Sequence, residues 1–471
     1  MEDIHVNIEK TWERQQLLKA EVNRSTPQQR IEKLRRLHQW ILDNRQRIHE
    51  AVTADYFKPP EEIDLTEIWV NTTELKSVMR HLKSWLRPKP VPRTLATLTA
   101  KAWVQYEPKG VVLIISPWNY PINLSLGPLI SAVAAGNCVV LKPSEFTPNS
   151  SHLLRTMLDE VFPNGEAVVI EGDYRVAEAL EEKPFDHIFF TGSPAVGKKV
   201  MAAAAQHLTS VTLELGGKSP TIIDRSARLK DTVRKIVFSK YLNNAQTCIA
   251  PDYILIHADV EAEFIAFLKK EIRRVYGKTA EKQKQSTNYG RLVNRNHFSR
   301  IHDLLDRTQD AGATVIIGGD YDEESCWFSP TVIKDVHSDH AVMESEIFGP
   351  LLPLIRYNTL DEALTIINGR PKPLALYIFS QDNHVTDTIL QETSAGGTCI
   401  NDCIMHFLQM NLPFGGVNNS GIGKTHGIFG LEAFSNRRAI LKQSRWNPIL
   451  LITPPYNGFK RRLIRIIIKY I

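Results

Sequence analysis

Cysteine is scarce in this 471-residue chain. Its five cysteines (Cys138, Cys248, Cys326, Cys399 and Cys403) are odd in number, scattered, and include no CxxC pair. That excludes a disulfide framework and, without a histidine-rich partner motif, a zinc site, so no metal is expected. Long apolar runs are missing too. Nowhere do about 20 apolar residues follow one another, as a membrane-spanning helix needs, and the opening MEDIHVNIEKTWERQQ lacks the apolar stretch of a secretory leader. A reducing, cytoplasmic compartment is expected. Nor is one charge in marked excess: 57 Lys+Arg against 52 Asp+Glu give +5, with no long cationic run through the body, so nucleic acid is not an expected partner.

What is present reads as a soluble globular chain of two or three units, 43% hydrophobic and 23% charged. Thr26 and Pro27 form an N-cap and first-turn proline, after which Ile31, Leu34, Leu37, Ile41, Ile48 and Val52 recur at helical spacing. The first 80 or so residues are therefore expected to be helical. Next, LRPKPVP (86–92) places prolines at alternate positions, which suits an extended edge or crossover. From residue 110, short β-rich runs alternate with helical ones: GVVLIIS, NCVVLKPS, AVVIEGD, HIFFTGS and SVTLELGG. The alternation resumes beyond Cys248 with YILIHADV, ATVIIGG, PLLPLIRYN, LALYIFS and GGTCIND. Runs buried on both faces and separated by helices predict parallel, doubly wound α/β sheets in two units. The tail FKRRLIRIIIKYI is basic and amphipathic as a helix, suited either to an anionic membrane surface or to docking on protein.

Four stretches fall at strand ends or in the loops after them, where open α/β sheets bind ligands: PWNYP (117–121), KPSE (142–145), FTGSPAVG (190–197) and LELGGKSP (213–220). Each alone has a plain structural explanation. Asn119 can be a turn former, Lys142 a solvated lysine and Glu214 a surface carboxylate. The Gly192 to Gly197 loop could hold a phosphate but is not the GxGxxG fingerprint. Cys248, in NNAQTCIAPDY, can be a small core hydrophobe.

Their joint order changes that reading. PWNYP, KPSEFTP, FTGS, LELGGKSP, QTC and EIFGP (346–350), in this sequence, resemble the aldehyde dehydrogenase superfamily over about residues 27–447, with Glu214 preceding Cys248 by 34 positions. QTCIAPDYIL, LALYIFS, Asn401-Asp402 and LPFGGVNNSGIGKTHG are most similar to the class 3 branch, which includes fatty and aromatic aldehyde dehydrogenases.

The resemblance implies a Rossmann-type nucleotide-binding domain (1–81 and 105–207), an α/β catalytic domain (208–400), a bridging β-element (82–104 and 415–447) holding Arg437 and Arg438, and a basic tail (448–471). It implies a homodimer. It also implies Cys248 as the nucleophile, activated by a nearby base or positive dipole. Asn119 and the Cys248 backbone N–H become the oxyanion hole, and Glu214 the base that hydrolyses the thioester to a free acid rather than an acyl-CoA. Lys142 and Glu145 are implied at the adenosine ribose, Gly192, Ser193 and Gly197 at the pyrophosphate, and Glu346 and Phe348 at the nicotinamide side. A carboxylate at Glu145 favours NAD over NADP, which class 3 relatives often also accept. Tyr120, Phe407 and Phe414 are placed at an apolar aldehyde entrance, fitting medium or long aliphatic, aromatic or polyene aldehydes.

Two positions depart from the family pattern. Ala245 and Asn418 stand where glycine is usual, so the backbone at the nucleophile loop is less free than in the family. Two other readings compete: a cysteine esterase or acyl transferase without redox chemistry, and a catalytically silent structural relative. The first leaves the ribose and phosphate motifs without purpose. The second gives no reason for Cys248, Glu214 and Asn119 to occur together.

Overall fold

The computed structural model describes residues 2–470, so Met1 and Ile471, the outer ends of the expected first unit and tail, lie outside the described residues. Thr26 caps the helix Pro27–Asp43 in a reciprocal box with Gln29, and Pro27 sits in its first turn. Ile31, Leu34, Leu37 and Ile41 on this helix, with Ile48 and Val52 on the next, are all buried in one core. The helical layer continues through Pro60–Trp85, whose middle, Asp64–Trp69, is a widened π turn.

Behind this layer stands a six-stranded sheet in the order Ala167–Val169, Cys138–Lys142, Val111–Ile115, His187–Gly192, Ser210–Leu215 and Gly421–Ile422. All neighbours are parallel except the last pair. Chain order reverses between Val111–Ile115 and His187–Gly192, which opens a crevice beyond their carboxyl ends. A second, seven-stranded sheet runs Thr314–Ile317, Thr331–Lys334, Leu351–Tyr357, Tyr253–His257, Pro220–Ile223, Ala375–Phe379 and Gly397–Ile400, parallel apart from its first pair. The two-sheet α/β class is as expected.

The unit boundaries differ. Ser210–Leu215 hydrogen-bonds to His187–Gly192, so the first unit extends past 207 to Leu215, and the turn at Gly216-Gly217 is the crossing point. Gly421–Ile422 also joins that sheet, and the helix Gly427–Ala433 packs on Asn123–Ala135, so the return segment becomes bridging only from Ser435. The bridging sheet is Lys89–Pro90, Lys101–Pro108 and Ser435–Lys442, antiparallel throughout, and takes residues 105–108, which the resemblance places in the first unit. The reason is common to all three. Strand pairing decides where each segment belongs, and the bounds implied by the resemblance do not carry that pairing. Arg437 and Arg438 lie in the bridging edge strand opposite Tyr106 and Gln105.

The tail forms a helix, Gly458–Tyr470, with Phe459, Ile466 and Ile468 exposed. No helix among the described residues is long and apolar enough to cross a membrane.

Candidate active site

The crevice at the sheet's reversal point leads into a cavity of about 410 Å³ lined by Asn119, Tyr120, Glu214, Cys248, Glu346, Phe348, Phe407 and Phe414 among others. Residues from the first sheet's loops, the second unit and the returning segment thus meet in one space. Gly192 and Ser193 line it as well. Lys142, Glu145 and Gly197 do not; they stand at neighbouring strand and helix ends.

Cys248 follows the helix Leu229–Tyr241 after a turn in which Asn243, Asn244 and Ala245 have φ of 52°, 54° and 61°. Three consecutive left-handed residues with side chains are unusual; the conformation costs about 1–2 kcal/mol for most residues and less for Asn. Ala245, standing in for the family's glycine, therefore keeps glycine's backbone conformation and bears the strain. Asn418, the second departure, is also left-handed, at φ 54°. Tyr377 fixes the far side of the loop by donating to the Ile249 carbonyl at 2.5 Å.

Burial, followed by the charges of Glu346 and Glu214, pushes the Cys248 thiol well up, while the backbone N–H groups of Cys248 and Ile249 pull the other way. The carboxylates of Glu346 and Glu214 thus stand within electrostatic reach of the thiol. Asn119 Nδ2 donates to the Gln246 carbonyl at 3.0 Å, which orients the amide toward the nucleophile loop and leaves its second N–H for another acceptor.

Glu214 is 6% exposed and neither carboxylate oxygen has a hydrogen-bond partner. Burial holds its pKa well above the ordinary carboxylate range, with Lys424 opposing. The Lys424 ammonium is itself engaged by the carbonyls of Gly396, Gly415 and Gly416. A buried, unpaired acid whose proton affinity is raised by desolvation is what general-base work requires.

The residues expected to hold a dinucleotide stand at the strand and helix ends of the first sheet and in the EIFGP loop. Lys142 Nζ donates to Glu145 Oε2 at 3.0 Å at the end of its strand. Ser193 caps the helix Pro194–Gln206, its hydroxyl accepting from the Val196 N–H. Glu346 accepts from the Gly217 N–H, and burial, then Asp252, raises its pKa to about 8. A Cβ on Gly216 would lie 1.9 Å from Glu346 Oε2, so glycine here leaves the Glu346 carboxylate its present place against the turn. Phe348, at φ 49°, is held in that strained loop by Arg300, which donates to the Ile347 carbonyl at 2.7 Å. These donors and acceptors suit a ribose and a pyrophosphate.

On the opposite wall Phe407, Phe414 and His426 pack ring to ring, with centroids 4.6–5.1 Å apart. Burial lowers His426 to about 4, so this imidazole is neutral and the wall apolar. Tyr120 is tied to the loop by its hydroxyl contact to Thr247 Oγ1 at 2.6 Å. The mouth carries Leu65, Trp69, Phe238 and Met405, all exposed.

Over residues 1–440 the chain matches the aldehyde dehydrogenase family. It belongs to that family. Human aldehyde dehydrogenase family 3 member B1 is 43% identical over 416 residues, 88% of this chain and 87% of that protein. The 4,4'-diaponeurosporen-aldehyde dehydrogenase of Staphylococcus aureus is 42% identical over 429 residues, 91% of this chain and 92% of that protein. Among solved structures, Staphylococcus aureus AldH in a substrate-bound state superposes with a TM-score of 0.93 at 39% identity, covering 98% of this chain and 99% of that one. Aldehyde oxidation by an oxidoreductase follows from the family, as does use of NAD(P).

Several members of the site were not singled out in the sequence. Trp118 packs against His297 and Phe348, with centroids 4.8 and 5.5 Å away, and lines the cavity of this aldehyde dehydrogenase. Trp118 lies inside PWNYP and could have been found there. His426 likewise lies inside LPFGGVNNSGIGKTHG, whereas nothing local marks His297 or Arg300, which are brought in by tertiary packing.

Proposed function

We propose that this enzyme oxidises medium or long aliphatic, aromatic or polyene aldehydes to free carboxylic acids with NAD(P), through a thioester on Cys248. The carrying observation is the convergence of Cys248, Glu214 and Asn119, from three distant segments, on one cavity beside a dinucleotide crevice.

Cys248 gives up its thiol proton to solvent, the thiolate Sγ adds to the aldehyde carbon, and the developing oxyanion takes hydrogen bonds from Asn119 Nδ2 and the Cys248 backbone N–H. Removing one such donor typically costs about 2.7–4 kcal/mol of transition-state stabilisation. NAD(P), when bound, would supply the hydride acceptor. A thioester remains on Cys248. Glu214 then takes a proton from water, the resulting hydroxide attacks the thioester carbon, and the acid leaves as Sγ recovers its proton. A free carboxylate at 214 supports hydrolysis rather than transfer to CoA. Lys142 and Glu145 are assigned to the adenosine ribose, Ser193 with Gly192 and Gly197 to the pyrophosphate, and Glu346 and Phe348 to the nicotinamide side. Glu145 repels a 2'-phosphate, favouring NAD.

The apolar wall and exposed apolar mouth support an extended hydrophobic substrate, as does the relative whose name gives a polyene aldehyde. Each buried methylene is worth about 0.8 kcal/mol, so kcat/KM is expected to rise up to about fourfold per carbon. The helix Gly458–Tyr470, with Lys460, Arg461, Arg462 and Arg465 beside exposed Phe459, Ile466 and Ile468, supports peripheral contact with anionic bilayers. Flotation with anionic liposomes should retain the full chain and lose one ending at 447; equal distribution removes the idea. The free edge of Ser435–Lys442 supports homodimer formation, checked by sedimentation.

The deciding experiment measures NADH and NADPH formation across an aldehyde chain-length panel for wild type and Cys248→Ala. The variant should form no product while still binding cofactor. Undiminished oxidation by it would end the assignment.

A further inference from the structure

The left-handed turn before Cys248 needs something to hold it. The Asn243 N–H donates to Glu62 Oε2 at 2.8 Å, and Asn243 Nδ2 donates to the Asn119 carbonyl at 2.8 Å. Tyr56 donates its hydroxyl to the same Asn119 carbonyl at 2.7 Å and lies 3.2 Å from Asn243 Oδ1. One carboxylate and one phenol of the amino-terminal helical layer therefore grip both halves of the oxyanion site, although neither lines the cavity. The grip is itself anchored. Glu67 is fully buried, paired with fully buried Lys58 at 2.8 Å, and accepts from the Asn123 N–H at 2.8 Å, four residues beyond Asn119. Lys58 in turn lies over the Tyr120 ring at 4.1 Å.

The widened turn Asp64–Trp69 explains how one helix supplies both acids. Glu62 and Glu67 are five apart, which an ordinary α-helix would splay to different faces. Bonding between i and i+5 turns the second toward the first. Such insertions cluster at functional sites.

We propose that Glu62 and Tyr56 are positioning residues for the reaction, holding the Asn243–Ala245 turn and the Asn119 backbone so that the Cys248 N–H and the Asn119 amide converge on the substrate oxygen. This rests on the roles given above to Cys248 and Asn119.

The test uses the full-length enzyme and the variants Glu62→Ala, Glu62→Gln and Tyr56→Phe. It reads kcat, KM for aldehyde and NAD, the thermal midpoint, and the rate at which iodoacetamide alkylates Cys248 without cofactor. Glu62→Ala and Tyr56→Phe should lower kcat about 10- to 100-fold, leave KM for NAD within about twofold, and change the alkylation rate at least about threefold. Glu62→Gln keeps an acceptor for the Asn243 N–H and should recover kcat to within about threefold. A purely structural role would move the thermal midpoint and leave kcat per folded enzyme alone. The proposal is overturned if Glu62→Ala and Tyr56→Phe retain wild-type kcat and alkylation rate, or if Glu62→Gln is as impaired as Glu62→Ala. Should Glu62→Ala fail to fold, Tyr56→Phe decides. Activity surviving in Cys248→Ala would instead overturn the site assignment, while alkylation still reports on the loop.

Discussion

Replacing Glu214 by Gln isolates one step of the proposed reaction, because the structure gives that carboxylate no other task. Neither oxygen makes a hydrogen bond, so exchanging one for an amide breaks none. Folding stability should therefore hold or rise, since an unpaired buried acid is removed. Acylation draws on Cys248 and Asn119 and should survive. Hydrolysis loses its base, a loss of about 10²- to 10⁴-fold, or roughly 2.7–5.4 kcal/mol at 1.36 kcal/mol per decade. Rapid mixing with aldehyde and NAD should then show a burst of one NADH per active site followed by near-zero steady turnover, with the acyl group recoverable on Cys248 by mass spectrometry. The pH profile adds a second reading. Burial raises the wild-type carboxyl well above its ordinary range, so deacylation should climb with pH as that group ionises, and the Gln variant should lack this limb. Steady turnover equal to wild type, or loss of the burst together with turnover, would refute the assignment of Glu214 to hydrolysis.

Three further outcomes are expected. Glu74 is buried, accepts from the Gly427 N–H, and has its pKa raised by burial from 4.5 to about 7. The folded chain thus binds that proton more tightly than the unfolded one, and the stability it contributes, full below about pH 4.5, is lost as pH rises through 7. Glu74→Gln should gain up to about 3 kcal/mol in denaturant unfolding at pH 8 and almost nothing at about pH 4; equal effects at both would contradict the burial argument. Glu145→Ala should shift the ratio of NADP to NAD KM values by about fivefold toward NADP, a small effect because the carboxylate is one-third exposed. Phe414→Ala removes a ring stacked 5.1 Å from His426 and should raise KM about tenfold for long aldehydes but not for acetaldehyde; a uniform change would place Phe414 outside the substrate path.

The parts of this molecule legible in the sequence are those decided within a few residues. Thr26, Pro27 and Gln29 announce a helix start because the capping box is closed by neighbours. The runs around Val111–Ile115 and His187–Gly192 announce buried parallel strands because both faces must be apolar. The site motifs were legible for the same reason: each is a strand end with its own turn, and their order carried the family resemblance that the comparisons uphold. What escaped is whatever depends on chain closure. Ser210–Leu215 has the composition of either sheet, and only its pairing with His187–Gly192 assigns it. Tyr56 meets Asn119 across 63 residues and Asn243 across 187. Ala245 shows the limit most clearly. Its departure from glycine suggested a less adaptable loop, and the structure keeps the left-handed backbone regardless, at φ 61°, with a carboxylate 181 residues upstream bonded to the start of the turn. An intrinsic preference of about 1–2 kcal/mol is within reach of a few buried hydrogen bonds, each worth about 1 kcal/mol net. Local rules therefore locate the strain at this loop, and the distant partners decide that the loop adopts it.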